Sequence, residues 1–163
     1  MDERLVELGS RPIEGNAPAG VEAKYDEEYE KLMSEVVKLE AVSVDSPIDW
    51  EVINDIAILI LDSKSKDLLI ACYLAHGLYL KQGLDGFLAG LQVISDMLST
   101  YYEGLFPPVK RVKARANALY WLAEKTEPLI AALDPKVIQL EAFEGCLNQL
   151  NTIQDVCDEK MQD

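Results

Sequence analysis

Side chains that carry chemistry are scarce in this chain: of 163 residues, one is histidine and three are cysteine. The single histidine, His76, has Tyr73 and Tyr79 at the i−3 and i+3 positions where a helical di-metal site would place carboxylates. Zinc would need cysteine or histidine in close pairs, and the sequence has none. No metal or cofactor is expected, and His76 is expected to be a core or boundary residue with its ring nitrogens satisfied. Cys72, Cys146 and Cys157 are odd in number and lie in apolar stretches, which predicts buried free thiols in a reducing compartment.

Positive charge is also sparse. Lys and Arg number 15 against 29 Asp and Glu, a formal net charge of −14. Such a field repels phosphate, so nucleic acid and anionic membranes are excluded as partners unless a local basic patch opposes it. Glycine and proline, 9 and 7 residues, are too few for a collagen-like or low-complexity chain. A membrane span needs about 20 apolar residues, and the densest apolar stretch, Leu68 to Leu80, is shorter and contains His76 and Gly77. The opening Met1-Asp2-Glu3-Arg4 lacks the basic region and apolar run of a secretory signal. The expectation is a soluble, cytoplasmic protein.

What remains is an apolar fraction of 49% arranged with helical periodicity. Residues 1–24 are punctuated by Gly9, Pro12, Gly15, Pro18 and Gly20, which predicts an extended arm packed on the body. Tyr29, Leu32, Met33, Val36 and Val37 then recur at i, i+3, i+4, i+7 and i+8, predicting a helix over 26–41. After a break at Ser43 to Pro47, Asp49 caps a second helix, and Ser65 or Asp67 caps a third that is apolar almost all round. Gly83 and Asp85-Gly86 turn the third helix back into an antiparallel fourth, which ends at Gly104 and Pro107-Pro108. A fifth helix runs through Leu119 to Ala123, and Thr126-Glu127-Pro128 reads as the start of a short sixth closed at Asp134-Pro135. The final segment carries a stripe of Phe143, Leu147, Leu150, Ile153 and Cys157, fit to close the core or to pair with a second copy. No segment alternates with period two. The predicted fold is all-α: about six or seven helices, divided into the arm 1–24, a helical domain 25–134 and a C-terminal helix 135–163.

Three patterns invite a functional reading. Ser63 and Lys66 have the S-x-x-K spacing of a serine–lysine nucleophile, which keeps a hydrolase as an alternative, although a capping loop is the simpler role. Gly83, Gly86 and Gly90 resemble a phosphate loop only superficially, since no strand precedes them and no lysine follows in place. Lys110, Arg111, Lys113 and Arg115 form the basic cluster of an acidic chain, suited to an acidic protein surface or, less well, to nucleic acid. Tyr101, Tyr102, Phe106 and Trp121 beside it read as core and loop anchors.

The ordered punctuation resembles the N-terminal domain of the TssA family, also called ImpA, of bacterial type VI secretion systems. The residues concerned are Pro18-Ala19-Gly20 with Tyr25-Asp26, Asp49-Trp50 with Val52, and Ser65-Lys66-Asp67-Leu68 leading to Ala71 and Tyr73-Leu74. They continue as Gly83-Leu84-x-Gly86-Phe87-x-x-Gly90-Leu91, Tyr101-Tyr102-Glu103-Gly104-Leu105-Phe106-Pro107-Pro108, and Arg115-x-Asn117-Ala118-Leu119-x-Trp121-Leu122. The resemblance implies a cytoplasmic, non-enzymatic assembly protein that contacts baseplate or tail components, sheath or tube. It also implies that oligomerisation belongs largely to a C-terminal region, so that this chain corresponds to the N-terminal domain alone, with self-association left open. On this reading most of the signature specifies the fold, and an exposed subset binds partners: Lys66, Lys110, Arg111, Lys113 and Arg115.

Overall fold

The computed structural model describes residues 2–40 and 47–161. Among them are five α-helices: α1 (Glu27–Val36), α2 (Trp50–Ser63), α3 (Leu68–Tyr101), α4 (Val112–Ala131) and α5 (Leu140–Lys160). Short 3-10 helices add Glu3–Leu5, Val37–Leu39 and Pro135–Val137. No strand occurs among the described residues, so the all-α expectation holds, but the count of six or seven helices is too high. Two predicted boundaries account for the difference.

The first is Gly83. Its backbone, at φ 63° and ψ −142°, reverses α3 without a loop, so the expected third and fourth helices form one hairpin. The two limbs lie back to back, with Tyr79 edge-on to Phe87 at 6.0 Å between centroids. Gly90 sits so close to Ala75 that a side chain there would collide with it. The second is Pro128, which lies inside α4 instead of opening a new helix. Thr126, expected as that helix's cap, shares a 2.9 Å hydrogen bond with His76 Nδ1.

The caps fall where short acidic side chains meet free N–H groups. Asp26 accepts from Glu28 N, Asp49 from Val52 N and Asp67 from Ile70 N. The break predicted at Ser43 to Pro47 lies, except for Pro47, outside the described residues, as does the end of the first predicted helix.

The core is built around the α3 hairpin, whose Leu68, Ile70, Leu74, Leu91, Ile94 and Leu98 are fully or almost fully buried. The other helices pack on it: α2 through Ile53, Ile60 and Leu61, α4 through Ala118 and Leu122, and α5 through Cys146 and Ile153. The arm is wound in turns over its first residues and seals the core with Leu5, Leu8 and Ile13. The stripe on α5 is thus divided. Ile153 closes the domain's own core, whereas Leu147 and Leu150 remain exposed at 45% and 42%.

Candidate functional site

Residues 65–67, between α2 and α3, are paired along both edges. Val21 N donates to Lys64 O and Lys66 N to Ala19 O, while on the other edge Phe106 N donates to Lys66 O and Leu68 N to Phe106 O. The arm, the α2–α3 connection and the segment after α3 are thereby tied together. Lys66 lies at the centre of this junction with no exposed surface. Its Nζ donates to Leu8 O at 2.6 Å and Leu61 O at 2.7 Å. Burial pulls its pKa down to about 8.

That geometry overturns Lys66 as an exposed binding residue. The same contacts separate it from the serine–lysine chemistry considered above. Ser63 Oγ is exposed and donates back to Leu59 O at 2.7 Å, while Lys66 Nζ is committed to two carbonyls. Neighbouring Asp67, nearly buried as the cap of α3, has its pKa raised to about 6 by loss of water.

The corner between α3 and α4 holds the predicted basic cluster and corrects it at one position. Arg115 is fully buried. Its Nε donates to Pro107 O at 2.7 Å, Nη1 to Tyr102 O at 2.7 Å and Nη2 to Leu105 O at 2.8 Å. The guanidinium also lies over the Tyr102 ring at 4.8 Å. It is a clamp on the segment leaving α3: a planar fork with several donors suits three converging carbonyls, and a lysine would satisfy them less well. Burial lowers its pKa.

Lys110, Arg111 and Lys113, in contrast, are exposed, and none has an ion pair or hydrogen bond from its side chain to another described residue. The clamp therefore holds three free cations on a fixed corner. Lys160, at the end of α5, comes to the same place, its Nζ over the Tyr102 ring at 5.2 Å. It was missed in the sequence because nothing local to it signals a partner far away along the chain.

The aromatic residues near the corner separate into two tasks. Tyr101 reaches the arm through a hydrogen bond from its hydroxyl to Ser10 O, and Tyr102 floors the Arg115 clamp. Trp121 packs edge-on to Tyr73 at 4.7 Å and to His76 at 5.6 Å. His76 is a buried core residue whose pKa is lowered by burial and by Lys125. The three cysteines are free, Cys72 and Cys146 being buried. Burial pushes the Cys146 thiol up to about 11 and raises that of Cys72 further. Among the described residues no cluster of three or more histidine, cysteine or acidic side chains is placed to hold a metal ion, and no helix is long and apolar enough to cross a membrane.

The fold has a counterpart in a solved structure. The N-terminal domain, including the conserved ImpA_N region, of the TssA component of the type VI secretion system from Burkholderia cenocepacia superimposes with a TM-score of 0.78. The match covers 96% of this chain and 82% of that one at 18% identity. No curated protein matches the chain. The family model for the ImpA N-terminal region of type VI secretion systems matches residues 10–124, a span that includes the Lys66 junction, the α3 hairpin and the Arg115 clamp. The chain belongs to the ImpA N-terminal family of the type VI secretion system.

Proposed function

We propose that this chain is a non-enzymatic assembly component of a type VI secretion system. It acts in the cytoplasm by protein–protein contact with baseplate or tail components, sheath or tube. The contact is made through Lys110, Arg111 and Lys113. One observation carries the assignment of the site: these three cations are exposed and unpaired among the described residues of a chain whose net charge is −14. Unused positive charge on a rigid corner favours an acidic protein surface. The chain's own field accelerates nothing that is itself strongly negative over long range, so nucleic acid is disfavoured.

The test is charge reversal at the three exposed positions alone, Lys110→Glu, Arg111→Glu and Lys113→Glu together. Arg115 stays intact because it holds the corner. The expected result is an unchanged circular dichroism spectrum and loss of pull-down of purified baseplate and tail proteins. Full recovery of those partners by the folded triple variant would remove this site. Retention of the wild-type chain on DNA, weakening with salt, would instead favour nucleic acid. Self-association through the exposed Leu147 and Leu150 of α5 is a separate proposal, and light scattering on the purified chain decides it.

A further inference from the structure

An open groove of about 790 Å³ lies between the arm and α5, over the limb of α3 that follows Gly83. Its bed on α3 is one helical face, Asp85, Leu88, Ala89 and Gln92, at i, i+3, i+4 and i+7. The arm contributes Leu5, Val6 and Glu7, and α5 contributes Gly145 and Gln149. Both walls are held by close approach to α3. A side chain at Gly9 would collide with Val93 O, one at Gly145 would crowd Leu88, and Gln149 Nε2 is bonded to Gln92 Oε1 at 2.7 Å. Leu88 and Ala89 are half-buried and Val6 is 49% exposed, so apolar surface stays open between the walls.

The charge of this groove has one sign. Glu7 and Asp85 are exposed, and neither side chain makes an ion pair or a hydrogen bond with another described residue. Among the described residues no lysine, arginine or histidine lines it. The cations nearest along the chain are committed elsewhere, Arg4 to Asp2 and Asp55 and Lys81 to Glu51. Glu7 also has a left-handed backbone, φ 56°, which residues with a Cβ rarely adopt. Ser10 N and Arg11 N both donate to its carbonyl oxygen, so the turn of the arm imposes that conformation. The strain is retained at a residue whose free carboxylate borders the groove. We propose that the groove docks a segment of a partner protein in which an apolar side chain is flanked by lysine or arginine. The apolar group lies on Val6, Leu88 and Ala89, and the cations meet Glu7 and Asp85. The net charge of −14 draws such a segment from a distance and opposes a second copy of the chain. This surface is opposite in sign to the corner of Lys110, Arg111 and Lys113 and does not depend on it.

The probe is a phage-displayed library of random linear peptides selected on the full chain in about 0.15 M salt. Synthetic copies of the enriched sequences are then measured by fluorescence anisotropy. The expected result is enrichment of peptides that combine lysine or arginine with an apolar residue. Glu7→Asn removes the charge with a residue that tolerates a left-handed backbone, so it should melt no lower than wild type while binding these peptides more weakly. Together with Asp85→Asn it should lower affinity at least about tenfold. Glu27→Gln with Glu30→Gln, an equal change of net charge made on α1, should leave affinity as in wild type. The Lys110, Arg111 and Lys113 charge-reversal variant should bind these peptides no more weakly than wild type, which separates this proposal from the assignment of the basic corner. Failure to enrich any cationic peptide would overturn the inference. So would equal weakening by the Glu27 and Glu30 pair, which would reduce the binding to the overall field. Self-association in light scattering that is abolished by Glu7→Asn with Asp85→Asn would seat a second copy in the groove and likewise overturn it.

Discussion

Asp67 caps α3 from a nearly dry position, and its carboxylate sacrifices hydration to accept the N–H of Ile70. Because burial raises its folded pKa to about 6, above the ordinary 3.8 of an aspartate in water, the native state holds the proton more tightly than the unfolded chain. Stability from this group therefore rises as the pH falls through about 6 toward 4, and the penalty is fully present above 6. Asparagine caps equally well without the charge. Asp67→Asn should raise the melting temperature at pH 8, by an amount corresponding to roughly 2–3 kcal/mol at most. The advantage should vanish near pH 3.5. A constant difference between the two proteins across that range would show that the carboxylate is not the source. Lys66 and Arg115 show the opposite use of a buried ion, since each is matched to carbonyl oxygens and not to a carboxylate. Their charge was legible in the sequence and their burial was not, because the oxygens they satisfy belong to the arm, to α2 and to the segment after α3.

At the scale of elements, the α3 hairpin depends on one residue. Gly83 combines φ 63° with ψ −142°, a conformation that costs a residue with a Cβ about 1–3 kcal/mol. Apart from its chain neighbours and the adjoining helix backbone, nothing lies within 4 Å of the position an added methyl would take, so the penalty is that of the local backbone conformation. Gly83→Ala should fold to the same helical content with a lower urea midpoint and an unchanged m-value. A variant as stable as wild type would show that the reversal tolerates side chains. The turn itself was readable from Gly83 with Asp85-Gly86, as were the caps at Asp49 and Asp67, since each is a local matter of sterics and unpaired N–H groups. Pro128 was misread for an equally local reason. Proline usually marks a helix start or break, but here the packing of α4 on α3, with Thr126 bonded to His76, carries the helix through it. Of the candidate site, the exposed cations were legible as a cluster, whereas the clamp beneath them follows from tertiary packing that no spacing encodes.

For the whole molecule, the family match ends at residue 124, yet the described fold does not. Helix α5 lies against α3, burying Cys146 and Ile153, with Gln149 Nε2 donating to Gln92 Oε1 at 2.7 Å. Removing everything after residue 134 uncovers the surface around Leu88, which lies against Gly145. Core faces stripped of an entire helix lose the transfer free energy of each buried side chain, about 1.5–3 kcal/mol apiece. The truncated chain should bind an apolar dye and unfold at markedly lower denaturant, measured beside the full chain by fluorescence. Equal stability of the two would make α5 an appendage.

The Arg115 clamp has a mechanical corollary. A tug applied to Lys110, Arg111 or Lys113 passes into the first turn of α4 and from there, through the guanidinium, to the backbone oxygens of Tyr102, Leu105 and Pro107. Strain is then shared by two helices at once, with α5 braced against the same tyrosine ring through Lys160. A grip at this corner would thus be resisted by the body of the molecule, not by a single hinge.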